Sequence, residues 1–157
     1  MFCFFYLQRK GVRNMSEILH RGKRIDNNEW EYGYYCCIER EGVKKHYIIP
    51  DYASNLYGFE IIPETVGIYT GKTDKNHTQI FTGDIFFVHG EYDNGLYDED
   101  RSGYIYVDYD EDIAQFVMRN FKYEYIDTLV DYLDIEAKEK ENQVISNIYD
   151  NPKLLKE

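Results

Sequence analysis

Residues 29–50 read EWEYGYYCCIEREGVKKHYIIP. Trp30, Tyr32 and Tyr34 fall at alternate positions with Glu31 and Gly33 between them, and a period of two is the mark of a strand. Glu41-Gly42 is a turn pair. Beyond it Lys45–Ile49 returns as a second strand, and Pro50, which has no N–H to offer a ladder, ends it. The stretch predicts an antiparallel hairpin.

The same pattern recurs on both sides. Ile18–Ile25 (ILHRGKRI) reads as a strand with a basic middle, closed by the turn cluster Asp26-Asn27-Asn28. Downstream, Phe59–Ile62, Val66–Tyr69, Gln79–Phe81, Ile85–His89, Tyr104–Tyr109, Ala114–Met118 and Tyr123–Tyr125 are short strand candidates, separated by turns. Only Ile126–Glu141 places apolar residues (Leu129, Val130, Leu133, Ile135) at helical spacing. Gln143–Ile148 alternates again, and Asn151-Pro152 suits a short helix start. Composition agrees: Tyr and Phe number 17 and 9, and both pack well on pleated surfaces. Alanine is confined to Ala53, Ala114 and Ala137. Many short antiparallel strands with one or two peripheral helices predict a mainly β fold, a small barrel or sandwich. A chain of 157 residues suggests one domain.

The beginning of the chain breaks the pattern. Met1–Leu7 is apolar but too short to span a membrane, and it lacks the flanks of a secretory signal. Arg9–Asn14 can be back-translated to contain AAAGGAGTG just before the codon of Met15, like a bacterial ribosome-binding site. Residues 1–14 are therefore expected to be leader, and residues 15–157 the domain.

Net charge is −11 and the pI about 4.8. Nucleic-acid binders need a basic stripe to displace counterions from phosphate, and this chain has none; the local basic patch His20–Arg24 (HRGKR) with Lys44-Lys45 is the only support for such a role. Anionic membranes would repel such a chain, so no membrane partner is expected. Cys3, Cys36 and Cys37 form no CxxC pair, which points to reduced thiols in a cytoplasm. His20, His46, His77 and His89 stand outside any catalytic motif, and no glycine-rich phosphate loop is present. Catalytic, cofactor-binding and metal-binding residues are therefore all assigned as none.

Acids are the remaining candidates. Asp98-Glu99-Asp100 clusters, and Asp108, Asp110 and Asp112 alternate as in calcium loops, but without the glycine and terminal glutamate of those loops. The stretch Glu91–Asp112 also holds Tyr92, Tyr97, Tyr104, Tyr106 and Tyr109. Carboxylates along strands can imitate phosphates, and tyrosines anchor interfaces at low entropic cost. Tyr92, Tyr97, Asp98, Glu99, Asp100, Asp108, Asp110 and Asp112 are thus a candidate interaction surface.

Residues 57–85 read YGFEIIPETVGIYTGKTDKNHTQIFTGDI. Pro63-Glu64-Thr65-Val66-Gly67, Tyr69-Thr70-Gly71, Asp74-Lys75-Asn76, Ile80-Phe81 and Gly83-Asp84-Ile85 resemble the YopX family of phage and prophage proteins. Ile18–Ile25 and Ile145–Leu155 (ISNIYDNPKLL) are similar to it as well. The resemblance implies a phage or prophage gene in a bacterium and a barrel-like core of SH3-like character. It carries over no reaction and no catalytic residue. Where the family turn usually has Gly, this chain has His77, and a non-glycine residue there implies a strained or reshaped turn. Without the family, Gly71 and Gly83 read as turn glycines, and Asp74 and Asp84 as side chains that hydrogen-bond turn N–H groups.

The expectation is a non-enzymatic cytoplasmic accessory protein that binds an unidentified host or phage protein. The alternatives are an SH3-like nucleic-acid-binding module and an acidic phosphate mimic that occupies the basic groove of a host protein.

Overall fold

The computed structural model describes residues 18–53, 57–88, 91–93, 96–98, 103–120, 125–134 and 142–156. Its centre is the predicted hairpin: β2 (Trp30–Arg40) pairs antiparallel with β3 (Val43–Pro50), from Gly33↔Pro50 out to Arg40↔Val43. Glu41 and Gly42 have φ of 52° and 78°. Positive φ at both loop positions is the primed turn whose twist matches that of the flanking strands. At Gly33 φ is 151° and an added Cβ would stand 2.1 Å from the Ile49 carbonyl oxygen, so only glycine lets the strands approach there.

Around this hairpin, β1 (His20–Lys23), β4 (Phe59–Glu60), β5 (Gly67–Thr73) and β6 (Gln79–Phe81) complete a six-stranded antiparallel sheet in the order β4-β3-β2-β1-β5-β6. A second sheet has the order β12-β11-β10-β7-β13, from β7 (Asp84–Val88), β10 (Gly103–Asp110), β11 (Gln115–Arg119), β12 (Tyr125–Thr128) and β13 (Ser146–Asn147). β8 (Glu91–Asp93) and β9 (Leu96–Asp98) form a separate hairpin.

The fold is mainly β, but among the described residues it consists of two open sheets and no closed barrel. The first sheet curls until Arg24 bridges Ile61, and Ile62 N–H donates to the Lys23 carbonyl at 2.8 Å. That isolated bridge is as far as its closure goes. The helix expected over residues 126–141 begins later: among the described residues α1 spans Leu129–Asp134, and the residues before it belong to β12. The exposed edge of β11 claims them through Val117↔Thr128 and Met118↔Asp127, so ladder hydrogen bonds override local helical spacing. Residues 135–141 lie outside the described set, as do residues 1–17 with the expected leader. The last strand covers only Ser146–Asn147, and the end of the chain forms a 3-10 turn, Leu154–Lys156.

The main core lies between the second sheet and α1. Phe86 and Val88 of β7 alternate onto one face with Ile105 and Val107 of β10, where Met118, Leu129 and Tyr132 also pack. Phe86 and Tyr132 meet edge to face at 6.0 Å. Ile48 and Ile61 are buried inside the curl of the first sheet. No helix among the described residues is long and apolar enough to cross a membrane.

Candidate functional site

β1 is four residues long, and two of its side chains, Arg21 and Lys23, are basic yet buried. Both sit two apart on a strand, so they share a face. Buried cations need anionic partners, and both partners come from far along the chain. Arg21 Nη1 lies 2.6 Å from Asp84 Oδ1 at the start of β7. This is an ion pair only: Asp84 Oδ1 and Arg21 Nε have no aligned hydrogen-bond partner. The guanidinium carbon stands 4.8 Å from the ring centre of Trp30 and 5.0 Å from that of Phe81, between two aromatic faces. Lys23 Nζ contacts Asp150, which also accepts from Trp30 Nε1 at 2.9 Å and from Asn147 Nδ2 at 2.6 Å. Burial pushes the Asp84 carboxyl above its ordinary range, and the opposing Arg21 charge does not cancel that. For Asp150 burial also raises, but bonds from Lys23, Asn147 and Trp30 prevail and hold it low.

The motif residues build the frame around these pairs. Pro63–Thr65 is a 3-10 turn in which Glu64 is exposed and Thr65 buried. Lys23 N–H donates to Thr65 Oγ1 at 2.8 Å, and that hydroxyl donates to the Ile62 carbonyl at 2.7 Å. Tyr69 pairs with Phe81, and the ladder then slips before Thr73↔Gln79; Gly71 sits in the slip at φ 77°. Thr70 Oγ1 donates there to the Ile80 carbonyl at 2.9 Å. Asp74 Oδ1 accepts from the Asn76 and Thr78 N–H groups at 2.8 Å each, and Oδ2 from Val144 N–H at 3.1 Å. Burial raises this carboxyl, but those backbone donors outweigh it and the net direction is down. His77 has φ 64°, so the turn holds a side chain in the left-handed region that favours glycine. Asp84 Oδ2 accepts from Phe81 N–H at 2.8 Å. Gly83 has φ 84°, and a Cβ on it would meet the Tyr149 ring at 3.0 Å.

Two clefts open beside this frame. His20 and Arg21 are neighbours on β1 and point to opposite faces, so each lines a different one. A cleft of about 430 Å³ has Arg21, Tyr32, Phe81, Asp84 and Ser146 among its walls. The other, about 420 Å³, is lined by His20, Tyr35, Tyr106, Tyr109 and Tyr149, with Asp108 and Glu111.

Several sequence candidates take on different roles. The basic run His20–Arg24 is not a patch: Arg21 and Lys23 are buried in ion pairs, and Arg24 pairs with Asp26 while lying 3.9 Å over Phe59. Lys44 and Lys45 face Glu39 and Glu60. Asp108 and Asp110 are held by one guanidinium, from Arg119 Nε at 2.9 Å and Nη2 at 2.6 Å. Asp110 Oδ1 also accepts from Asp112 N–H at 3.0 Å. The alternating acids thus surround an arginine and a turn, and no group of three metal-ligating side chains occurs among the described residues. Tyr92, Tyr97 and Asp98 fall in the β8–β9 hairpin; Glu99 and Asp100 lie outside the described residues. Cys36 and Cys37 are free thiols.

Sequence reasoning missed Lys23, Trp30, Asn147 and Asp150 as one cluster. Two basic residues at alternate positions of a strand show that they share a face, but not that the face is buried. Nor could they say which acids would meet them, because Trp30 and Asp150 stand 120 positions apart.

Fold and site together define a two-sheet antiparallel β protein whose first strand is tied to the middle of the chain by the buried Arg21–Asp84 pair and to its end by the Lys23–Asp150 pair. The chain belongs to the YopX family: the family model for the YopX protein matches residues 19–156. No curated protein and no solved structure matches it. The three stretches that carried the resemblance are also the three that meet here, through Arg21 and Asp84, Lys23 and Thr65, and Lys23 and Asp150.

Proposed function

We propose that this protein is a phage- or prophage-encoded accessory protein of the bacterial cytoplasm that acts by binding another protein, without catalysis. The supporting observation is the outer face of the β2–β3 hairpin. Ile48 is fully buried on the inner face, so Ile49 and its cross-strand partner Tyr34 point outward. The same face carries Cys36 with Tyr47, Ile38 with Lys45, and Val43 with Arg40. Tyr34, Ile38 and Val43 are all more than a third exposed. Exposed apolar residues paired with charged ones on one strand face are a common make-up of a protein-binding patch. Family membership supports the phage setting, and the burial of Arg21 and Lys23 weighs against a nucleic-acid module.

The test is affinity capture with the intact chain from bacterial lysate, with and without nuclease, beside an Ile38→Thr/Val43→Thr variant. Threonine keeps the strand preference while removing apolar area. The reading expects a protein that survives nuclease and is lost with the variant. Retention that depends on nucleic acid, or that ignores the variant, would replace it.

A further inference from the structure

The cleft of about 420 Å³ beside Gly83 combines two features not used by the hairpin face. Its walls carry four tyrosines, Tyr35, Tyr106, Tyr109 and Tyr149, and its rim carries two carboxylates, Asp108 and Glu111. The rings lean on neighbouring rings. Tyr109 meets Phe116 edge-on at 5.3 Å, Tyr149 leans on Trp30 at 5.9 Å, and Tyr35 lies 5.4 Å from His20 and 5.8 Å from His46. Walls fixed in advance lower the ordering cost of binding.

Charge decides what such a cleft can take. Asp108 shares Arg119 with Asp110, so that guanidinium is outnumbered by the acids it serves. Glu111 is exposed and makes no ion pair among the described residues. His20 adds no opposing charge, since burial pushes its imidazole below the ordinary value against a smaller upward pull from the Ile18 backbone. Its Nδ1 is buried without a hydrogen-bond partner. Arg21, on the other face of β1, is already paired with Asp84.

We propose that this cleft binds an organic cation, an ammonium or guanidinium group, between its tyrosine walls and the Asp108–Glu111 rim. Tyrosine faces attract cations through the ring quadrupole, and a carboxylate rim adds a Coulomb attraction that salt weakens. The net charge of −11 concentrates cations at the surface in any case, so the test must separate the cleft from that general effect.

Backbone amide NMR of the intact chain is titrated with three probes: a Gly-Arg-Gly amide peptide, spermidine, and acetate as the anionic control. The cleft reading expects saturable shifts that cluster at Thr82–Gly83, Tyr106–Glu111 and Ile148–Tyr149, with none for acetate. Trp30, beside Tyr149, gives a parallel fluorescence readout. Glu111→Gln and Tyr109→Ala, both at solvent-exposed positions, are expected to weaken binding by about fivefold each. Tighter binding of the peptide assigns the cation to a polypeptide side chain; tighter binding of spermidine assigns it to a free polyamine. Shifts spread over the acidic surface without saturation, or affinity unchanged in both variants, would overturn the proposal. Neither variant touches Ile38 or Val43, so failure here is separable from failure of the hairpin face.

Discussion

Arg21 and Asp84 form an ion pair across the two sheets, 2.6 Å apart and only 6% and 1% exposed. The pair joins the first strand of one sheet to the first strand of the other. Both residues line the cleft of about 430 Å³. Buried ion pairs add little net stability, but they are costly to halve.

Arg21→Met or Asp84→Asn alone is expected to destabilise the fold by about 3–5 kcal/mol, because each leaves a buried polar partner uncompensated. The double variant Arg21→Met/Asp84→Asn should cost much less than the sum of the two. Urea unfolding of all three against the parent measures the coupling. Additive losses would mean that the two groups do not act as a pair.

His77→Gly is expected to stabilise the protein. A side chain at φ 64° carries a left-handed penalty of about 1–2 kcal/mol. Glycine removes it but loses about 0.5–1 kcal/mol of chain entropy on folding. The gain should be about 0.5–1 kcal/mol, read as a higher urea midpoint at unchanged slope. A loss would show that the His77 side chain has a bonding role.

Stability should fall on acidification in two stages. His20 has its folded value depressed below 6.5, so its contribution is complete above pH 6.5 and is lost as pH falls through the folded value. Asp74 and Asp150 are depressed below 3.8, so their contributions hold above that pH and disappear as pH falls through their folded values. Asp84 is raised and acts oppositely, favouring the fold slightly as pH drops towards 3.8. Thermal melts across pH 3–8 test this. His20→Gln should flatten the upper stage, and Asp74→Asn the lower.

The two adjacent cysteines should differ in reactivity. Cys37 is exposed and Cys36 only half-buried, on opposite faces of β2. In a Cys3→Ser background, maleimide labelling followed by peptide mapping should modify Cys37 first. Equal rates would indicate that the hairpin frays on the labelling timescale.

The sequence by itself determined whatever depends on neighbours along the chain. Alternating Trp30, Tyr32 and Tyr34 mark a strand because side chains on a strand alternate in any context. Glu41-Gly42 marks the turn because few residue pairs accept positive φ twice. Tertiary structure decided the rest. Residues before Leu129 became β12 because β11 offered them a ladder, which helical spacing could not reveal. The strands stayed in two open sheets because closure depends on pairing between distant edges, and among the described residues the first sheet closes only as far as the Arg24–Ile61 bridge and its flanking backbone bonds. Arg21 and Lys23 of the basic run at β1 became buried cations in ion pairs, and the acids at Asp108 and Asp110 became the clasp of Arg119. A charge in a sequence has a sign but no partner; the partner is chosen by the fold that brings two strands within a few ångströms.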